Sequence, residues 1–215
     1  MLPAPLLALA LAVTPVGCTV EPAGPVALPG PIAADSLPAL YARGRTWQEF
    51  LDSTRARRQT WLDNYAKGEP DAAAVARAAL VPGRWRFLVV AIDACGDSAH
   101  SIPYLARLVE AVPSLELRIV LPTEGKWVQE SHRTEDGRPA TPTVVLLDEQ
   151  GVERGCWIER PYVLRKLVAD VRSGAVAGNL IEVITAWRAE DQGRSTVADL
   201  VDLLEAAAAG TTRCP

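Results

Sequence analysis

The sequence predicts one α/β domain with a mixed β-sheet flanked by helices. The chain has 215 residues, of which 49% are hydrophobic and 22% are charged, as in a globular protein with a single core. Segments rich in β-branched residues alternate with segments of helical spacing, which is typical of parallel strands joined by helices. The last two strand-like segments are separated only by a short turn and predict a hairpin. A right-handed crossover followed by this hairpin gives two parallel strands and an antiparallel edge.

The N-terminal residues predict export of the protein. Residues 1–18 hold an apolar run that is too short to span a bilayer as a mature helix, and they resemble a signal peptide. The sequence PVGC resembles a bacterial lipoprotein signal and predicts lipidation of Cys18, although Pro15 stands where leucine is usual. The Pro-rich residues 19–36 predict an extended tether. We therefore expect an extracytoplasmic protein, secreted or membrane-anchored, and a cytoplasmic one only if the start codon is misassigned.

The expected folded unit covers residues 37–215, with a core over about residues 71–173. Aromatic and apolar residues at helical spacing in residues 37–67 indicate one or two amphipathic helices, whose Trp47, Phe50 and Trp61 are expected to pack on the domain. Asp71 is placed to cap a further helix over residues 72–80.

The central part of the chain supplies the predicted strands. Residues 86–92, RFLVVAI, show no polar alternation and predict a central strand covered on both faces. The remaining strands are predicted over residues 115–122, 143–148 and 152–158. Helices are predicted over residues 98–112, with a kink at Pro103, and over residues 126–132, 162–173, 180–188 and 196–209, the last capped by Ser195.

Cys95 falls just beyond the central strand, where the next helix begins. Catalytic groups of open α/β sheets gather at the carboxyl ends of the strands. The N–H groups and dipole of a helix N-terminus favour a thiolate, which is the nucleophilic form of cysteine. Gly96 allows a tight turn, whereas the carboxylate of Asp97 disfavours a second negative charge nearby. From this segment alone, an inert buried cysteine in a strand-to-helix turn remains the alternative.

Two segments resemble the thioredoxin family. DACGDSAHSIP is similar to its active-site segment, with a cysteine at a strand-to-helix junction and a helix proline, Pro103, eight residues later. ATPTVVLLDEQGVERGCWIERP is similar to its second signature, a Thr-Pro with a cis-proline followed by a hairpin. The resemblance spans about residues 85–173, and a bacterial subgroup has similar helical additions on both sides. It implies a thioredoxin-like mixed sheet with additional N-terminal and C-terminal helices.

The resemblance also implies roles for individual residues. Cys95 would be the attacking sulfur, Pro142 a cis-proline packed against it, and Thr141 a source of backbone groups for a bound substrate. Gly96 and Asp97 would complete the substrate-binding segment.

Two positions depart from the family pattern. Ala94 replaces the usual tryptophan, and Ser98 replaces the resolving cysteine that frees the product in a dithiol enzyme. Ser98 could donate a hydrogen bond to the Cys95 thiolate or could be an ordinary helix residue.

The other cysteines and the histidines carry weaker signals. A structural disulfide between Cys156 and Cys214 is one alternative, and a core Cys156 with a free or tail-paired Cys214 is the one we favour. His100 could approach the sulfur from the first helical turn, but we favour a solvated helix face for it, and His132 is similarly unremarkable. No CxxC motif or Cys/His cluster appears in the sequence, so we expect no metal and no cofactor.

Two functions follow from these observations. The first is a monothiol thiol–disulfide exchange protein acting on protein or small-molecule thiols and disulfides, an oxidoreductase without a resolving cysteine. The second is a redox-inactive module that binds an extended peptide beside Pro142. A net charge of −4 provides no basic field for nucleic acid, and a membrane contact is expected only through the N-terminal signal or lipid anchor.

Overall fold

The computed structural model describes residues 36–214. The predicted signal, Cys18 and all of the tether except Ser36 lie outside these residues, and their assignments stay predictions. Within residues 36–214, no helix has the length and apolar character needed to cross a membrane.

Four helices precede the first strand. They are α1 (Leu37–Arg43), α2 (Trp47–Ser53), α3 (Arg58–Lys67) and α4 (Ala72–Leu80). Residues 37–67 form three helices instead of the expected one or two, because the helical conformation is interrupted twice. Thr46 caps α2 in a capping box with Glu49, and Arg57 adopts a left-handed conformation (φ 51°) before α3. Asp71 caps α4 as predicted, accepting a hydrogen bond from the N–H of Ala73 at 3.3 Å.

The sheet has four strands in the order β2-β1-β3-β4. They are β1 (Trp85–Val90), β2 (Leu115–Val120), β3 (Thr143–Leu147) and β4 (Glu153–Ile158). β1 is parallel to β2 and antiparallel to β3, and β3 forms the antiparallel hairpin with β4. The mixed sheet with a central first strand and a terminal hairpin is therefore confirmed.

The helices around the sheet differ in detail from the prediction. They are α5 (Gly96–Ala99), α6 (Ile102–Ala111), α7 (Pro122–Ser131), α8 (Tyr162–Arg172), α9 (Leu180–Asp191) and α10 (Arg194–Ala208). The predicted single helix over residues 98–112 is wrong, because the helical conformation is interrupted at His100 and Ser101. Pro103 instead lies in the first turn of α6, where its missing N–H has no helical partner to lose.

The predicted cap of the last helix is also wrong. Gly193, with φ 80°, occupies the N-cap of α10, and Ser195 lies inside the helix. The N–H of Ser195 donates to the carboxylate of Asp191 at 3.1 Å, so the end of α9 supplies the polar group at this turn.

Each face of the sheet packs on a different set of helices. The side chains of Phe87 and Val89 join a large core with residues of α2, α3, α6 and α10. Leu88 and Val90 point to the opposite face, where α1 and α7 cover them. The predicted packing role of the aromatic residues is confirmed, since Trp61 and Phe50 are fully buried with ring centroids 5.1 Å apart.

A disulfide between Cys156 and Cys214 ties the C-terminal tail to β4. The N–H of Cys156 also donates to the carbonyl of Arg213 at 2.7 Å. The favoured alternative of an unbridged Cys214 is therefore wrong. The physical reason is that α10 packs against β4, so that the tail after α10 returns to the exposed edge of that strand.

Candidate functional site

Cys95 lies at the N-cap of α5, just after the carboxyl end of β1. Its side chain is half-buried, and its Sγ accepts a hydrogen bond from the N–H of Ser98 at 3.4 Å. The thiol donates in turn to the carbonyl oxygen of Thr141 at 3.3 Å. A thiolate would keep the first hydrogen bond and give up the second, which leaves the Thr141 carbonyl available to a ligand.

The two segments that carry the family resemblance meet at this sulfur. The Thr141–Pro142 peptide bond is cis, as the resemblance implies, and it precedes β3 directly. The carbonyl of Pro142 accepts a hydrogen bond from the N–H of Glu159 at 2.8 Å, which holds this loop to the end of β4. Thr141 therefore presents its backbone beside Cys95.

The side chain of Ser98 does not act as the hydrogen-bond donor that the sequence suggested. Ser98 is fully buried, and its hydroxyl has no hydrogen-bond partner within residues 36–214. Its backbone N–H, not its hydroxyl, contacts the sulfur. Position 98 therefore supports Cys95 through the helix geometry alone.

Asp97 is neutralised by two arginines. Its carboxylate accepts hydrogen bonds from Nε and Nη2 of Arg160, at 2.8 and 2.9 Å, and is also paired with Arg188 of α9. All three side chains are less than one-fifth exposed. The sequence predicted that this carboxylate would oppose a thiolate at Cys95, but the two guanidinium groups compensate its charge. Arg160 and Arg188 are 63 and 91 residues away along the chain, and sequence reasoning missed both.

A third arginine, from the start of α3, contacts the turn that carries Cys95. Nε of Arg57 donates to the carbonyl of Ala94 at 2.8 Å, at the position where the family has its tryptophan. A Cβ atom added to Gly96 would lie 3.8 Å from Cζ of Arg57 and 3.9 Å from Nη1 of Arg188. Both guanidinium groups therefore face the Cys95 turn.

Asp93 holds the turn from the other side. Its carboxylate accepts hydrogen bonds from the N–H groups of Arg55 and Ala56, each at 2.8 Å, and its carbonyl accepts one from Trp61 Nε1 at 3.0 Å. Partial burial raises the pKa of Asp93, but backbone N–H groups, chiefly those of Arg55 and Ala56, outweigh it and hold the pKa below its ordinary value. Asp93 and Asp97 thus have separate partners, an arrangement unlike paired-carboxylate chemistry.

His100 is more enclosed than predicted. The ring is half-buried and its Nδ1 lies 3.1 Å from Nδ2 of Asn64, because α3 packs over α5. Burial, reinforced by the charge of Arg188, lowers the pKa of His100 to about 4. The expected solvated position is therefore wrong, and the ring is neutral near neutral pH.

His132 is also buried, at the end of α7. Its ring contacts the carbonyl of Val128 at 2.7 Å and the carboxylate of Glu153 at 2.8 Å. The fold places a ligand atom of His132 and the sulfurs of Cys156 and Cys214 within 4.8 Å of one another, a cluster that the sequence did not predict. The two sulfurs are bonded to each other and both ring nitrogens of His132 have hydrogen-bond partners. We therefore interpret this cluster as part of the folded structure and not as a metal site.

A cavity of about 480 Å³ lies beside the disulfide, lined by residues that include Trp157, Tyr162 and Arg165. None of its lining residues belongs to the Cys95 turn or to the Thr141–Pro142 loop. We therefore place the candidate site by its chemistry, at Cys95, rather than by the size of a cavity.

An α/β domain with a cysteine at a helix N-terminus, opposite a cis-proline, defines a thioredoxin-type site, here with one sulfur. The family model described as Thioredoxin matches residues 44–172, which is more than half of the chain. The chain belongs to the thioredoxin family.

Two solved structures share this fold. A protein of unknown function from Pseudomonas aeruginosa, PA1234, is 23% identical, with a TM-score of 0.63 over 80% of this chain and 98% of that one. An HIV epitope-scaffold is also 23% identical, with a TM-score of 0.64 over 79% of this chain and 98% of its own. At this identity the likeness supports the fold alone. No curated protein matches the chain significantly.

Proposed function

We propose that this protein is a monothiol thiol–disulfide exchange factor that acts through Cys95. The observation that carries the proposal is the half-buried Cys95 Sγ, which accepts the N–H of Ser98 at the start of α5 beside the cis-proline loop. A backbone N–H donor at this position stabilises a thiolate, the attacking form in exchange chemistry.

The proposed step is a balanced exchange. The Cys95 thiolate attacks one sulfur of a substrate disulfide, a new disulfide bond forms to Cys95, and the other substrate sulfur leaves as a thiolate. A second thiolate from another molecule then attacks this mixed disulfide and restores Cys95. We assign the second thiol to another molecule because, within residues 36–214, Ser98 has no sulfur and Cys156 and Cys214 are bonded to each other.

The proposed location is extracytoplasmic, with the protein secreted or held to a membrane through its N-terminal residues. The Cys156–Cys214 disulfide supports this location, because such bonds persist mainly in oxidising compartments. Mass spectrometry of the mature N-terminus tests it: a lipid on Cys18 is expected for an anchored form, and an unmodified Met1 would exclude both export proposals.

Adduct trapping tests the exchange proposal. The full chain carrying Cys18→Ser, which is the background of every variant in this test, is mixed with a small aromatic disulfide. Intact-mass spectrometry should show one adduct that peptide mapping places on Cys95. The adduct should persist until an external thiol is added, whereas a Ser98→Cys variant should release it without one, by forming a disulfide within the motif.

The matched control is Cys95→Ser, which should form no adduct. If the native protein forms no adduct while Cys95 becomes modified after denaturation, the sulfur is inaccessible and the exchange proposal is wrong.

A redox-inactive binding module is the second candidate. The absence of a hydrogen bond from the Ser98 hydroxyl to the sulfur favours it, as does the backbone of Thr141 that lies beside Cys95. In that case Cys95→Ser would retain full biological activity and peptide capture, since the backbone contacts would remain.

A further inference from the structure

Three arginines from separate parts of the chain surround the Cys95 turn. Arg57 precedes α3, Arg160 follows β4, and Arg188 lies in α9. The carboxylates that pair with these arginines balance only part of their positive charge. Asp97 is shared by Arg160 and Arg188, and Glu159 meets Arg160 at 3.3 Å while also facing Arg138.

Arg57 is the arginine without an acidic partner. It is exposed, and within residues 36–214 no carboxylate lies within salt-bridge distance of its guanidinium group. The hydrogen bond from Nε to the carbonyl of Ala94 fixes one edge of the group, and its Nη1 atom lies beside Gly96. An oriented guanidinium group with an open edge is suited to a planar anion.

Burial is the main influence on the pKa values of Arg188 and His100, and the nearby arginine charges act in the same direction. Burial lowers the pKa of Arg188, and the charges of Arg160 and Arg57 lower it further against the opposing effects of Asp97 and Cys95. The pKa of His100 falls to about 4, chiefly through burial and then through Arg188. Three arginines therefore lie around the turn that carries the sulfur, with Asp97 and part of Glu159 as their acidic partners, although the net charge of the whole chain is −4.

We propose that Arg57 and Arg188 form an anion subsite beside Cys95, and that the exchange partner is a small disulfide or thiol with a carboxylate near its reacting sulfur. This inference rests on the proposed function and names its substrate class. An ideal Cβ on Gly96 would lie 3.8 Å from Cζ of Arg57 and 3.9 Å from Nη1 of Arg188, so both guanidinium groups lie against the turn that carries the sulfur. The carboxylate of the substrate would bind these two groups while Cys95 attacks its sulfur.

The test compares two disulfide probes of similar size. Dithiobis(nitrobenzoate) carries a carboxylate on each aromatic ring, meta to the sulfur, and dithiodipyridine is neutral. The rate of adduct formation on Cys95 is measured with each. Arg57→Gln should slow the reaction with the anionic probe by about 10-fold, because electrostatic guidance is lost, and leave the neutral probe unaffected. Arg57→Lys should restore part of the anionic rate.

The matched control is Arg84→Gln, which removes the same charge before β1, at the opposite end of that strand from Cys95. It should leave both rates unchanged. If Arg57→Gln slows neither probe or slows both equally, the anion subsite is wrong while exchange at Cys95 stands. If the wild-type protein reacts with neither probe, the proposed function itself fails.

Discussion

His132 is a buried side chain whose titration is coupled to a carboxylate. The hydrogen bond to Glu153 raises the pKa of His132 above 6.5, and the carbonyl of Val128 adds to this effect against the opposing burial. The folded state therefore favours the protonated ring. Its contribution to stability is fully present below the unfolded pKa of about 6.5 and is lost as pH rises through the folded pKa.

Substitution of the carboxylate should reveal this dependence. Glu153→Gln is expected to lower the free energy of unfolding more at about pH 6 than at about pH 9, because only the protonated ring gains from the carboxylate. Denaturant unfolding at both pH values measures the difference. Glu130→Gln on α7, which removes an exposed ion pair with Lys126, is the control and should show little pH dependence. Equal losses for Glu153→Gln at both pH values would contradict the coupling.

At the scale of elements, the turn between α9 and α10 positions Arg188. Gly193 in this turn has φ 80°, and an ideal Cβ there would lie 2.1 Å from Cγ of the Tyr104 ring in α6. Tyr104 is buried and its hydroxyl donates to Asn64, so the ring has little freedom to move away. The turn between α9 and α10 therefore packs closely against this ring.

Gly193→Ala should be strongly destabilising. A left-handed conformation costs an alanine about 1–2 kcal/mol, and displacement of the ring adds about 1–3 kcal/mol. Gly174→Ala is the matched control, since Gly174 has the same φ of 80° with no atom within 4 Å of an added Cβ. Denaturant unfolding should give a clearly larger loss for Gly193→Ala, and equal losses would refute the packing argument.

Local patterns were sufficient to predict the strands and the position of Cys95. The uninterrupted apolar run predicted a buried β1, and the short turn predicted the hairpin that follows the cis-proline. The charges around the sulfur could not be predicted in the same way, because Arg188 reaches Asp97 only through the packing of α9. Arg160, in the sequence ERP after β4, was visible but had no local signal of its partner.

At the scale of the whole molecule, one covalent bond between distant parts of the chain joins the C-terminal tail to the sheet. The Cys156–Cys214 disulfide spans 58 residues and encloses α8, α9 and α10, including Arg188. A bond that closes such a long loop restricts the unfolded chain more than the folded one. Sequence spacing could not choose this pairing, because it depends on the return of the tail from α10 to β4.

Cys214→Ser should therefore lower the free energy of unfolding by about 2–4 kcal/mol, measured with denaturant in the absence of a reductant. The matched control is the wild-type protein with its disulfide reduced, which should be destabilised to a similar extent, while the variant should not respond to the reductant.

Trapping at Cys95 separates a structural from a catalytic role for Cys214. If the disulfide is structural, the Cys95 adduct of the variant forms and persists as in the wild type. A longer-lived adduct in Cys214→Ser would instead show that Cys214 supplies the second sulfur that the active-site segment lacks.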